Sequence, residues 1–135
     1  MKYLLTLIGP EQEGGMEGMT PEQISAMMEP WNEYNRLLLE RNAFVAGEGL
    51  HPSSSATTIR VSEDGSDKTV TDGPFAETKE QLGGFYLVDC ADLDEALELA
   101  KKVPVRPGSS VEVRPAIDFT EFGYEDPYKA AARAG

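Results

Sequence analysis

The chain has 135 residues, 40% of them hydrophobic, enough for one domain with a core and too few for two. Its 24 acids against 12 bases leave a net charge of −12, a surface that repels phosphate backbones and anionic lipid, so we expect no nucleic-acid partner and no membrane contact. A single cysteine, Cys90, excludes an internal disulfide and fits a cytoplasmic location; the N-terminal MKYLLTLIGP lacks the length and cleavage site of a signal peptide.

Lys2 to Ile8 predicts a first strand, and because both its faces are apolar it is expected at the centre of a sheet. Gly9 to Met19 is a long acidic loop with Pro10, Gly14, Gly15 and Gly18, either a lid over a site or a mobile surface loop. Thr20-Pro21-Glu22-Gln23 is a helix start with a capping box, and Ile24, Met27, Met28, Trp31, Tyr34 and Leu38 recur at helical spacing. That stripe is read as core-facing, with a ligand groove as the alternative. Pro30 predicts a kink or two abutting helices ending near Arg41-Asn42.

Phe44 to Leu50 is a second strand whose Gly47 and Gly49 mark a bulge or a close approach. His51 to Ser55 is a polar loop. Ala56 to Val61 is a third strand, with Thr57, Ile59 and Val61 on one face and Thr58 and Arg60 on the other. Asp64-Gly65 signals a hairpin turn, and Lys68 to Thr71 returns as its short partner.

Asp72-Gly73-Pro74-Phe75 is a rigid turn, in which glycine before proline is biased to an extended shape. A polar run, Ala76 to Gln81, follows it. Gly83-Gly84 then opens Phe85 to Val88, apolar at every position and read as a strand buried on both faces. Asp92 to Glu95 is a second capping box. Leu93, Ala96, Leu97, Ala100 and Val103 give its helix one apolar face, and Pro104 stops it. Ser110 to Arg114 is the last strand, and Ile117 to Gly135 is an aromatic, charged tail, weakly helical over 129–133.

This order predicts an α+β, ferredoxin-like fold: an antiparallel sheet with two main helices on one face. The other face also carries apolar side chains, which a two-fold copy of the chain would cover. We therefore expect a homodimer.

The run DGPFAETKEQLGGFY at 72–86 resembles the signature of the YCII-related family, in its DGPF-motif branch. The likeness extends more loosely over 1–115, including GEGL at 47–50 and ATTIRV at 56–61. The domain is accordingly placed at 1–115, with 116–135 as a C-terminal extension that packs on it or on its dimer partner. The resemblance implies a ferredoxin-like domain of the dimeric α/β-barrel type. It supplies no reaction, and because members of this branch are often encoded beside alternative sigma factors it implies a protein partner as one option.

Asp72 is the first candidate for chemistry. The commonest structural role of an Asp before Gly is to bond the N–H two residues on, and Pro74 has none. Partial burial beside Phe75 would raise its proton affinity, as a general base near neutral pH requires. His51, the single histidine, could complete an acid–base couple or could be a solvent-facing loop residue. Phe75, Lys79 and Arg60 are candidate substrate contacts, the two cations toward a carboxylate, or plain surface residues. With one His and one Cys a zinc site would need mostly carboxylates, an unusual ligand set, no phosphate-cradling glycine loop is present, and Cys90 reads as an inert core thiol, so no metal and no cofactor are expected. Two functions follow as expectations. One is a small cofactor-free enzyme doing lyase- or isomerase-like acid–base chemistry on a small organic acid in a cleft near Asp72. The other is a non-catalytic ligand- or protein-binding regulatory module.

Overall fold

The computed structural model describes residues 1–12 and 14–134. Six strands, two main helices and a short C-terminal helix alternate along it. Four strands form an antiparallel sheet in the order β2 (Phe44–Gly49), β5 (Gln81–Asp89), β1 (Lys2–Gly9), β6 (Ser110–Pro115). This is the ferredoxin-like order, with the first strand central, as its two apolar faces require.

The register separates two faces. Tyr3, Leu5, Tyr86 and Val88 face α1 (Pro21–Glu40) and α2 (Leu93–Lys101). They form one core with Tyr34 and Leu38 of α1 and Ala96, Leu99 and Ala100 of α2. The Tyr34 hydroxyl donates to the Leu99 carbonyl at 2.9 Å, so a buried polar atom joins the two helices. Burial pushes the Tyr34 phenol far up, and it raises the Cys90 thiol as well, which suits an unreactive core position. Leu4, Ile8, Leu82, Phe85 and Leu87 lie on the opposite face, away from the core formed with α1 and α2; Leu4 is 36% exposed.

The stripe on α1 is core-facing at Tyr34 and Leu38, with Trp31 packed against the core, while Met27 toward the N-terminal end is exposed. Pro30 lies inside one continuous helix, so the two-helix alternative does not hold. The capping box at Thr20 is complete in both directions. At Asp92 the side chain accepts from the Glu95 N–H.

The glycines of β2 and β5 are close approaches. A Cβ on Gly47 would stand 2.8 Å from the Tyr86 ring, and one on Gly84 would stand 2.8 Å from the Glu48 carbonyl oxygen. A bulge falls between Phe44 and Ala46. Strand β5 begins at Gln81, ahead of the glycines, because Gly84 still pairs with Leu7 and Gly49.

The middle of the chain leaves this body. Strands β3 (Thr57–Val61) and β4 (Lys68–Asp72) make a separate two-stranded ribbon. After β6 the chain runs through a 3-10 turn at Phe119–Phe122 into α3 (Pro127–Ala134), with Phe122, Tyr124 and Tyr128 exposed. No helix among the described residues is long and apolar enough to cross a membrane.

Candidate functional site

The ribbon gathers three of the five predicted residues. Asp72 ends β4 opposite Thr57, Arg60 stands on β3, and Phe75 follows in the turn. The turn is folded back on β3 by side chains two residues apart on one face of that strand. The Thr58 hydroxyl donates to the Gly73 carbonyl at 2.7 Å, and the Arg60 guanidinium donates to the Phe75 carbonyl at 3.0 Å. The Arg60 guanidinium carbon also lies 5.2 Å from the Phe75 ring centre, a cation–π contact. The Gly73 N–H completes the clasp by donating to the Ala56 carbonyl at 2.8 Å.

Gly73 takes a positive φ. Its φ is +106, a conformation that side-chain-bearing residues seldom adopt, so the turn requires glycine for its backbone and not for space.

Downstream, the Gln81 side-chain amide donates to the Ala76 carbonyl at 2.9 Å and the Thr78 carbonyl at 3.1 Å, and the Thr78 hydroxyl donates to the Glu80 carbonyl. Much of the signature run therefore shapes its own loop. Sequence reasoning missed Thr58 and Gln81 in this role. The alternation that puts Thr58 beside Arg60 was the available signal for the first.

Asp72 is exposed, so the partial burial beside Phe75 is not met, and its carboxylate makes no hydrogen bond with any described residue. Lys79 is exposed on the same loop, and the Phe75 ring is 76% exposed. His51 is exposed on a different loop, just before the 3-10 turn Ser53–Ser55. Ordered partners there belong to Glu11, whose carboxylate accepts from the Ser53 N–H at 2.6 Å and from the Ser53 hydroxyl. Arg106 donates to the Pro10 carbonyl at 2.9 Å, so the start of the 9–19 loop is tied at two points.

Open hollows mark the surface of the described residues. A shallow one of about 660 Å³ runs along α1 past Pro21, Glu22 and Ser25. A smaller one of about 240 Å³ lies between Glu11, Gln12 and Gly14 on one side and Pro52, Ser53 and Ser54 on the other. Neither is lined by Asp72, Phe75, Arg60, Lys79 or His51. No group of three or more His, Cys, Asp or Glu among the described residues is placed to hold a metal ion.

The sequence matches the YCII-related domain over residues 1–120, from β1 through the 3-10 turn that follows β6. The chain belongs to the YCII-related family. A 68-residue stretch is 54% identical to an uncharacterized protein of Rhizobium meliloti (strain 1021); the alignment takes in 49% of this chain and 53% of that relative. Thus the chain spans about half the length of the curated relative it matches, and that relative brings no activity with it.

Proposed function

We propose that this YCII-related protein is a homodimeric, non-catalytic regulatory module that docks a protein partner on the 72–79 loop. One observation carries the reading: Phe75, 76% exposed, is held out on a loop clasped by Thr58 and Arg60, and that loop lines neither hollow. Small-molecule sites are concave and bury most of their ligand, whereas exposed, preorganised aromatic side chains flanked by charge are typical anchors of protein interfaces. Asp72, Glu77, Lys79 and Glu80 supply the polar rim. Members of the DGPF branch, which the 72–86 run resembles, are often encoded beside alternative sigma factors, and this suggests the class of partner.

The homodimer is supported by the uncovered sheet face. Leu4, Ile8, Leu82, Phe85 and Leu87 make a continuous apolar patch, bounded by Glu48, Glu112 and Arg114, that an identical patch would match. Phe85→Lys places a charge at its centre and is expected to halve the molar mass seen by light scattering. An unchanged mass would remove the sheet-face dimer from the proposal.

A second reading keeps the chain as an enzyme. Its support is the Asp72 carboxylate, which makes no hydrogen bond with any described residue and is thus open to take a proton from a small organic acid, with His51, Lys79 and Arg60 supplied from the same or a partner chain to close a cleft. Affinity capture from cell extract separates the two. Under the docking reading Phe75→Ala loses a partner that Phe75→Tyr retains, and Asp72→Asn weakens it modestly. A partner set indifferent to Phe75→Ala, together with consumption of a small acid that Asp72→Asn abolishes, would establish the enzyme instead.

A further inference from the structure

We infer that strand β4 is the docking edge for β4 of a second copy of this chain, the two ribbons joining into one four-stranded antiparallel sheet. The contact is separate from the apolar sheet face, so with both in place sheet-face dimers associate further through their ribbons; it shares Asp72 with the 72–79 loop but does not require that loop to bind a partner.

The first observation is the isolation of the ribbon. Every residue of β4 is exposed, Val70 at 66%, and Ile59 beside it is 63% exposed. Among the described residues, strands β3 and β4 pack chiefly on each other. A two-stranded ribbon alone is marginal in water, and three or more strands are needed for independent stability.

The second observation is which backbone groups point outward. Antiparallel ladders alternate between pairs that exchange hydrogen bonds and pairs that do not. The Gly73 N–H donates to Ala56 and the Ser62 N–H donates to Asp67, so the bonded pairs of the ribbon are 56–73, 58–71, 60–69 and 62–67. Lys68, Val70 and Asp72 therefore turn their N–H and C=O groups away from β3, toward an edge that no described strand occupies.

The third observation is what that edge complements. Strand β4 reads Lys68-Thr69-Val70-Thr71-Asp72. Reversed against itself about Val70, it sets Lys68 opposite the partner's Asp72, Thr69 opposite the partner's Thr71, and Val70 opposite the partner's Val70. Opposite charges and threonine pairs are favourable across antiparallel strands, and the register puts the outward-facing groups of 68, 70 and 72 in bonded pairs. A two-fold contact demands this self-complementarity. Strand β3, Thr57 to Val61, has one charge and offers no such match. The reversal also sends the acidic turns, with Glu63, Asp64 and Asp67, to opposite ends of the joint sheet, so the net charge of −12 does not oppose the contact locally.

The full chain is tested by sedimentation equilibrium and by cross-linking. Lys68→Asp turns two attractive pairs into two repulsive ones and is expected to weaken ribbon association at least about tenfold, given the size of cross-strand charge effects. The double exchange Lys68→Asp with Asp72→Lys restores the pairing in mirror order and is expected to recover the wild-type constant. Val70→Pro removes an outward N–H that β3 does not use, and should block association while leaving the ribbon intact. Val70→Cys sits on the two-fold axis, where the Cα separation of about 5.5 Å lies within disulfide reach, so mild air oxidation should give a covalent dimer that Val61→Cys does not.

These readouts are distinct from the sheet-face contact. A Phe85→Lys chain should still cross-link through Val70→Cys. The inference is overturned if Lys68→Asp leaves association unchanged, if the double exchange fails to restore what Lys68→Asp removes, or if Val70→Cys and Val61→Cys cross-link equally.

Discussion

The four-stranded sheet and the β3–β4 ribbon are both antiparallel β-structure, yet different forces hold them. In the sheet, Leu5 and Val88 are fully buried against Leu38 and Leu99, so removal of apolar surface from water fixes strand order and register together. In the ribbon nothing is buried. Register there rests on backbone pairing, on the turn at 62–67, and on the two side chains, Thr58 and Arg60, that clasp the Asp72–Phe75 turn. The body can therefore carry stability while the ribbon carries surface chemistry, and a substitution in one should leave the other's observable nearly untouched.

The largest expected effect tests that separation directly. Leu5→Ala or Leu99→Ala should lower unfolding free energy by about 2–5 kcal/mol, because each empties a fully buried position. Ile59→Ala or Val70→Ala should change it by no more than about 0.5 kcal/mol in dilute protein. Urea denaturation followed by far-ultraviolet circular dichroism measures both. If the ribbon variants cost as much as the core variants, the two regions unfold as one unit and the comparison collapses.

A pair of glycine substitutions sharpens it. Gly84→Ala drives a Cβ to 2.8 Å from the Glu48 carbonyl, so two paired strands must shift, at a cost of about 1–3 kcal/mol. Gly73→Ala meets no atom, yet its φ of +106 is foreign to alanine. Its cost falls on the turn alone. The first should lower the melting temperature. The second should leave it in place while speeding hydrogen exchange at the Gly73 and Thr71 amides, and equal exchange rates there would show that the turn has another source of order.

Inside the core, Tyr86 offers a smaller effect of the same kind. Its hydroxyl donates to the Asn35 side-chain oxygen at 2.6 Å and its ring meets Tyr34 edge-on at 5.2 Å. Tyr86→Phe keeps the ring packing and loses the bond, an expected cost of about 1 kcal/mol in the same urea experiment.

The legibility of the sequence follows the same division. Strands and helices that bury a face announced themselves: the two-sided apolar run of Lys2 to Ile8 gave the central strand, and Thr20 to Gln23 gave the start of α1. Gly47 was readable as a close approach because it sits inside a predicted strand, where a missing side chain needs a reason, whereas Gly84 was read only as opening the run Phe85 to Val88. The ribbon was visible as two strands joined by a turn, but not as a body apart from the sheet. Its residues alternate as a packed strand's do, and periodicity does not say whether a face has a cover. The candidate residues fared likewise. Arg60, Asp72 and Phe75 were tied to one neighbourhood by the hairpin turn at Asp64-Gly65, whereas no pattern in the sequence bore on how the His51 loop lies to the 72–79 loop. The Gln81 clamp was hidden because a glutamine amide can bond almost any carbonyl within reach.

The smallest expected effect lies at the ribbon's tip. The Asp64 carboxylate accepts from the Ser66 N–H at 3.0 Å, the Ser66 hydroxyl at 2.7 Å and the Ser62 hydroxyl at 2.8 Å, and these bonds hold its pKa at about 2, below the ordinary 3.8. A depressed folded pKa means that the ionised form is the one the turn favours. The contribution is thus complete above about pH 3.8 and is lost as the pH falls toward 2. An NMR titration should show the Asp64 carboxyl carbon moving with a midpoint near 2, with the Ser66 amide shifting in step. Asp64→Asn should remove that step from the Ser66 amide. Because the tip is exposed and belongs to the ribbon, neither the titration nor the variant should move the melting temperature of the body at neutral pH. A midpoint near 3.8 would mean that the three donors are not held against the carboxylate in solution. The tip would then be too loose to set the register of β3 and β4, and the hydrogen-bonding edge from Lys68 to Asp72 would lose the rigidity that docking a second ribbon requires.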